Sequence, residues 1–351
     1  MRRLPIYFLI DVSESMVGEP IQLVEEGLAT IIKALKEDPY ALETVHVSVI
    51  VFAGQAKTLI PLQEVIAFYP PKFPIGSGTS LGNGLGHLMF ELRRTVIRTT
   101  AEQKGDWKPI VFLFTDGVPT DDTSAVVKEW KQAWGGKANL VAISFGKDTD
   151  LHLLRELTED AYLFKNTSQQ QYKEFFKWVT ASIRASSVSV DNNSTGFELV
   201  KSNDDLLSKI DQTTVAIIPK SFVDTNYAVF VAKCQNTTRP YLIKYRRDSK
   251  PSNFGGLELE TLSYRLVGPF TIDDTYFELS DGETRNTRIS TEELEGFPSC
   301  PSCGNQTGFA VCACGGIHCV GGEEESTCPW CGNKGRYGHG DGHIDLNRAQ
   351  G

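Results

Sequence analysis

Along the first 185 positions, apolar residues follow two alternating patterns. Unbroken runs at Leu4 to Ile10, Val45 to Ala53, Pro109 to Phe114 and Asn139 to Gly146 are short and rich in Val, Ile, Leu and Phe. Such runs predict strands buried on both faces, as in a parallel sheet. Between them, Ile21, Val24, Leu28, Ile31 and Leu35 recur at steps of three and four. That spacing predicts an amphipathic helix from Pro20 to Lys36, with the proline in its first turn. Further helices are predicted over 81–103, 120–134 and 151–157, and around Tyr172, Phe176, Val179 and Ile183. Ala56 to Leu62 reads as a hairpin partner at the sheet edge and Ala161 to Lys165 as a last strand. Gly82, Gly84 and Gly86 weaken the helix they sit in and predict close packing against the sheet. The fold class expected is α/β, a doubly wound and mostly parallel sheet over residues 1–185.

Beyond Ala185 the pattern changes. Residues 186–195 are polar and rich in Ser and Asn, which predicts a linker. Residues 196–296 carry short strand-like runs at 214–218, 227–234, 241–246, 262–267 and 276–279, a β-rich segment. Residues 297–351 form a cysteine-rich module followed by a tail rich in Gly and His.

Composition narrows the classes available. The chain has 351 residues and a formal net charge of -9, so no cationic excess is present to neutralise a nucleic-acid backbone. Glu323, Glu324 and Glu325 inside the cysteine module weigh further against nucleic acid. The first apolar run ends at Asp11, short of a secretory signal with its cleavage site, and nowhere do about 18 uninterrupted apolar residues occur. These features lead to the expectation of a cytoplasmic protein. Seven of the eight cysteines lie between Cys300 and Cys331. In a chain without an export signal, that clustering points to metal rather than to disulfides.

Oxygen-bearing side chains gather at strand ends. Asp11, Ser13 and Ser15 follow the first strand, Thr79 stands in a Gly-Ser-Gly-Thr-Ser loop before a helix, and Asp116 follows a later strand in Thr-Asp-Gly. An open α/β sheet places its ligand in the crevice beyond the carboxyl ends of its strands. Hard oxygens there suit Mg²⁺ or Mn²⁺ rather than zinc. Each residue alone also reads as an ordinary cap or turn residue. An enzyme using an aspartyl nucleophile would want a second acid and a lysine nearby; Ser13 and Ser15 stand where the acid would be. The five positions together resemble the metal-ion-dependent adhesion site of a von Willebrand factor A domain. The resemblance implies direct metal ligation by Ser13, Ser15 and Thr79, with Asp11 and Asp116 binding directly or through water. It also implies an open position filled by a partner's acidic side chain.

Cys300-Pro-Ser-Cys303-Gly and Cys328-Pro-Trp-Cys331-Gly are matching knuckles, and two such turns predict a Cys₄ site for structural zinc, with iron as the competitor. Cys312, Cys314, His318 and Cys319 between them form a candidate second, Cys₃His site, so one Zn²⁺ is expected and a second left open. Cys234, in an apolar run, reads as a core residue.

Taken in order, these parts resemble the TerY proteins of bacterial tellurium-resistance and stress-response systems. Leu4-Pro5-Ile6-Tyr7, Ser15-Met16-Val17-Gly18-Glu19-Pro20-Ile21 and Cys328-Pro-Trp-Cys331-Gly carry the likeness. It implies a non-enzymatic adaptor working with a protein kinase and a metal-dependent protein phosphatase. Two alternatives stand beside it, a partner subunit of an AAA+ ATPase and a Mg-dependent phosphatase or nucleotidase.

Overall fold

The computed structural model describes residues 2–145, 149–164, 169–189, 199–200, 207–210, 225–254, 257–281, 288–338 and 343–348. The chain divides into two compact units, Met1–Phe73 with Thr79–Phe222, and Val223–Gly351 with Pro74–Gly78.

The first unit runs β1 (Leu4–Asp11), α1 (Glu19–Lys36), α2 (Pro39–Thr44), β2 (Val45–Phe52), β3 (Ala56–Glu64), α3 (Leu81–Thr95), β4 (Ile110–Thr115), α4 (Ser124–Ala133), β5 (Asn139–Ser144), α5 (Leu151–Leu157), β6 (Asp160–Phe164), α6 (Gln169–Ser189) and β7 (Leu207–Lys209). Among the described residues these strands form one sheet in the order β3-β2-β1-β4-β5-β6-β7. The five central strands are parallel; β3 and β7 pair antiparallel at the two edges.

Side chains alternate across the sheet, as strand geometry requires. Tyr7, Leu9, Val111 and Leu113 pack with Leu85 and Leu88 of α3, Trp130 of α4 and Leu154 of α5. From the other parity, Phe8 stacks on Phe112 and Phe114, and Phe114 meets Phe175 and Phe176 of α6 edge-on. Gly27 of α1 lies so close to this group that a Cβ there would stand 2.0 Å from the Phe176 ring. Both faces of the sheet are therefore covered by helices, and the doubly wound α/β architecture expected from the sequence is present.

Several elements differ from expectation. The helix predicted over 81–103 stops at Thr95, where a run rich in β-branched residues (Thr95, Val96, Ile97, Thr99, Thr100) lowers helix propensity. Of its glycines, Gly84 packs on Phe52 and Gly82 on Asp121, whereas Gly86 faces open space. The helix predicted from Thr120 starts at Ser124, because residues 120–123 are held in a loop. The predicted linker begins inside α6, which runs to Ser189; the rest of it lies outside the described residues. The strand expected at 214–218 also lies outside them.

The second unit contains β8 (Tyr227–Lys233), β9 (Pro240–Phe254), β10 (Leu257–Thr271), α7 (Thr275–Leu279), β11 (Arg288–Ser290), β12 (Leu294–Glu295), β13 (Thr307–Val311), β14 (Ile317–Val320), β15 (Ser326–Thr327), β16 (Lys334–Gly335) and β17 (Asp345–Asn347). Its main sheet has the order β12-β10-β9-β8-β14-β13. The run at 276–279, expected as a strand, is helical, and Asp273 accepts the Thr275 N–H at 3.0 Å at its start. The β-rich segment and the cysteine module, read from sequence as successive pieces, share this sheet. β14 pairs parallel with β8, Ile317 opposite Ala232 and His318 opposite Lys233. One apolar cluster accordingly joins Phe230, Ile243 and Tyr245 to Cys300, Ile317 and Cys319.

Candidate metal centres

In the first unit, β1 and β4 are adjacent and in register, Ile10 opposite Phe114, which brings Asp11 level with Thr115 at the carboxyl end of the sheet. Thr115 Oγ1 donates to Asp11 Oδ2 at 2.6 Å, and the Ser13 N–H donates to Asp11 Oδ1 at 2.9 Å. Ser15 Oγ lies 2.9 Å from Ser13 Oγ and donates to Asp116 Oδ1 at 2.6 Å. Thr79 enters on a third loop, tied down where the Ser80 N–H donates to Ala53 O at 2.7 Å beyond β2. The Thr79 N–H donates to Thr120 Oγ1 at 3.0 Å, and the Thr120 N–H donates back to Thr79 O at 2.9 Å. A Cβ on Gly117 would stand 3.1 Å from Thr79 Oγ1 and 3.7 Å from Ser15 Oγ, so both hydroxyls converge beside Gly117's bare backbone.

The five residues singled out from sequence are thus brought to one place, and all five are buried. Thr115 and Thr120 were not singled out. A threonine that positions another ligand carries no spacing signal of its own; only the register of β1 with β4 reveals the first, and the loop crossing the second.

Burial pushes the Asp11 carboxyl up to about 7, and the nearby charge of Asp116 adds to the shift. Two carboxylates sharing a buried pocket repel, and a divalent cation between them removes that cost. Six-coordinate ligands about 2.1 Å from a small cation stand about 3 Å apart at neighbouring corners. The 2.9 Å between Ser13 Oγ and Ser15 Oγ matches that edge. The residues present fit a small divalent ion.

In the second unit all eight cysteines of the chain fall into two groups, Cys234, Cys300, Cys303 and Cys319, and Cys312, Cys314, Cys328 and Cys331. Within each group the sulfurs lie within 4.8 Å of one another. Close pairs are Cys303 to Cys319 at 3.7 Å, Cys234 to Cys319 at 4.0 Å, Cys312 to Cys331 at 3.7 Å and Cys314 to Cys328 at 3.8 Å. Thiolates about 2.3 Å from a tetrahedral ion stand about 3.8 Å apart. Both groups fit a closed four-sulfur site.

This grouping corrects the sequence reading. The two knuckles, Cys300 with Cys303 and Cys328 with Cys331, do not share a site; each is completed by other cysteines. The proposed set of Cys312, Cys314, His318 and Cys319 is divided between the two groups. His318 belongs to neither: its Nδ1 lies 2.9 Å from Cys319 O, and its ring stands edge-on to Tyr337 at 4.7 Å. Burial lowers its pKa, favouring the neutral ring.

Cys234, read as a core residue, sits in a third turn of the same kind. The Cys300 N–H donates to Asn305 O at 2.8 Å and the Gly304 N–H to Cys300 O at 2.9 Å; Cys328 repeats this with Asn333 and Gly332. Cys234 makes the same pair with Arg239 and Thr238, both at 2.9 Å. The left-handed position, glycine at 304 and 332, is Thr238 here, with φ of 57°. Without that glycine and without a second cysteine three residues on, the turn has no sequence signature. Burial pushes the Cys234 thiol up, but hydrogen bonds from Thr237 and Asn236 outweigh it and bring it to about 7. Hydrogen bonds from the Cys314 N–H, then the Tyr337 hydroxyl, bring Cys312 to about 6. Both environments favour the thiolate that a metal requires, whereas burial pushes the Cys300, Cys319 and Cys328 thiols up.

Family models match both units. Residues 6–178 match the von Willebrand factor type A domain, and residues 224–351 match the TerY-C metal binding domain. The chain joins a von Willebrand factor type A domain to a TerY-C metal binding domain. Among curated proteins, the type A region is similar to inter-alpha-trypsin inhibitor heavy chain H1 of Bos taurus, 26% identical over 162 residues, 44% of this chain and 17% of that one. The Sus scrofa counterpart is 27% identical over 164 residues, 42% and 17%. The chain therefore spans less than a fifth of the length of these relatives. Similar solved structures include a von Willebrand factor type A protein from Catenulispora acidiphila, 14% identical with a TM-score of 0.39, covering 80% of this chain and 68% of that one. Proximal thread matrix protein 1 from the mussel byssus is 20% identical with a TM-score of 0.38, covering 51% and 47%. No helix of the described residues is long and apolar enough to cross a membrane.

Proposed function

We propose that this protein is a non-enzymatic adaptor that grips a partner's acidic side chain through Mg²⁺ held in the type A domain. The observation that carries the reading is the convergence of Asp11, Ser13, Ser15, Thr79 and Asp116 at one edge of the sheet. Three neutral hydroxyls and two carboxylates balance the charge of a divalent ion without exceeding it. Bound there, Mg²⁺ would supply an electrophilic position for one further carboxylate oxygen. Asp11, fixed by Thr115 and the Ser13 N–H, would hold its charge toward the ion, and the Thr120 pair would hold Thr79 in place.

In the TerY-C domain, Cys234, Cys300, Cys303 and Cys319 would hold one Zn²⁺, and Cys312, Cys314, Cys328 and Cys331 a second. Four sulfurs close each coordination sphere, which supports a structural role over hydrolysis. The setting we propose is a cytoplasmic phospho-signalling system of the tellurite or stress-response kind, with a protein kinase and a metal-dependent protein phosphatase as partners. The pairing of the two domains is what supports it.

The test is affinity purification from native lysate with Mg²⁺ and with EDTA, using the wild-type chain and Asp11→Ala, alongside calorimetry of Mg²⁺ alone. Mg²⁺-dependent recovery of a kinase or phosphatase that Asp11→Ala loses supports the proposal. Recovery of an AAA+ ATPase instead moves the protein to that machine. Recovery indifferent to EDTA, or turnover of a phosphate ester by the purified chain, overturns the adaptor reading.

A further inference from the structure

The two cysteine groups match in geometry and differ in exposure. In the first, Cys234, Cys300 and Cys319 are buried and Cys303 is half-buried. In the second, Cys314 and Cys331 are exposed while Cys312 and Cys328 are buried. The exposed and buried sulfurs are also paired across the site. Cys331 lies 3.7 Å from buried Cys312, and Cys314 lies 3.8 Å from buried Cys328. Each accessible sulfur thus has a protected one at resolving distance, about two ångströms from a disulfide bond length. In the first group only Cys303 offers partial access, and its near neighbour Cys319 sits beneath it, fully buried.

We propose that the second group is an oxidant-reactive modification site, at which the Cys331 or Cys314 thiolate attacks a peroxide and the metal is lost, while the first group keeps its own. This rests on the reading that both groups hold zinc. An exposed thiolate attacks one peroxide oxygen; the O–O bond breaks, the sulfur becomes a sulfenic acid and hydroxide leaves. The thiolate behind it attacks that sulfur, the S–O bond breaks, a second hydroxide leaves and a disulfide forms. Two thiolates have lost two electrons, and the peroxide has taken them up as two hydroxides. A site reduced from four thiolate ligands to two no longer holds zinc tightly.

Reaction at this position has a defined mechanical reach. Cys312 and Cys314 lie in the connection between β13 and β14, and β14 pairs with β8. Cys328 and Cys331 lie between β15 and β16. Loss of the ion frees the turn carrying Trp330 from a fixed position on the sheet, where its indole N–H donates to Ile317 O at 2.7 Å.

The experiment uses the full zinc-loaded chain, hydrogen peroxide as the probe, a chromogenic chelator to follow released zinc, and peptide mapping of alkylated and disulfide-linked cysteines. Two ions per chain at the start are expected; fewer would overturn the zinc reading itself, separately from this proposal. One ion should leave at least about tenfold faster than the other, with bridges mapped at Cys312 to Cys331 and Cys314 to Cys328. Cys331→His replaces an oxidisable ligand by a nitrogen that zinc accepts, and should slow the fast phase several-fold. If that variant does not load two ions, mapping of the wild-type chain decides. Release of both ions at one rate, or first oxidation at Cys300, Cys303 or Cys319, overturns the proposal.

Discussion

Thr79 and Thr120 are bonded to each other twice, each backbone N–H serving the other residue at 3.0 and 2.9 Å. One ligand loop of the type A site is thereby clamped to the loop that carries Asp116. Thr120→Val keeps the shape of the side chain but removes the acceptor for the Thr79 N–H, at a cost of about 1–3 kcal/mol for a buried donor. The expected result is Mg²⁺ affinity weakened by about tenfold with the fold retained, read by calorimetry and circular dichroism.

The buried Asp11 carboxyl sets a pH dependence of definite sign. Its pKa is raised from 3.8 to about 7 in the folded chain by burial and by Asp116. The unfolded chain thus loses this proton first as pH rises. The group's contribution to stability is fully present below about pH 4 and is lost as pH rises through about 7. In EDTA the thermal midpoint of Asp11→Asn should fall less than that of the wild type over this window. Mg²⁺ should raise the wild-type midpoint at pH 8 and lose that effect toward pH 5, where the proton competes with the ion. A wild-type profile in EDTA parallel to that of Asp11→Asn would sink this assignment.

Cys234 separates a ligand from a core residue cleanly. Packing alone makes Cys234→Val nearly neutral, within about 1.5 kcal/mol. Ligation makes it costly: elemental analysis should find one zinc per chain in place of two, and the TerY-C domain should unfold at markedly lower temperature. Cys234→Ser should behave in the same way.

Gly27 is where α1 presses on the aromatic layer. Gly27→Ala places a methyl 2.0 Å from the Phe176 ring, which is hemmed in by Phe114 and Phe175. The helix must shift, with an expected loss of about 1–3 kcal/mol in denaturant titration. Gly86→Ala, at a position with open space, should instead be neutral or slightly stabilising.

The contrast between the two sites shows what a sequence can disclose. Asp11, Ser13, Ser15, Thr79 and Asp116 were legible because each sits at a fixed offset from a strand or helix that announces itself by hydrophobic period. The cysteines announce their chemistry but not their partners. Spacing joined Cys300 to Cys303 and Cys328 to Cys331, yet which turn faces which is decided by the parallel pairing of β14 with β8, a contact between residues 85 positions apart at Ile317 and Ala232. Cys234 was hidden because Thr238 adopts the backbone angle that glycine would have advertised. α3 was read too long for a related reason: hydrophobic periodicity continues through Val96 and Ile97, and only the β-branched run ends the helix.

The company Cys234 keeps also bears on how this chain can be cut. A fragment begun at residue 297 would inherit Cys300, Cys303 and Cys319 but lack their fourth member, and it would strip β14 of the neighbour that completes its ladder. A fragment ended before that point would leave a lone thiol on a raw sheet edge. Both four-cysteine groups lie within residues 234–331, and any cut inside that span parts the ligands of at least one site.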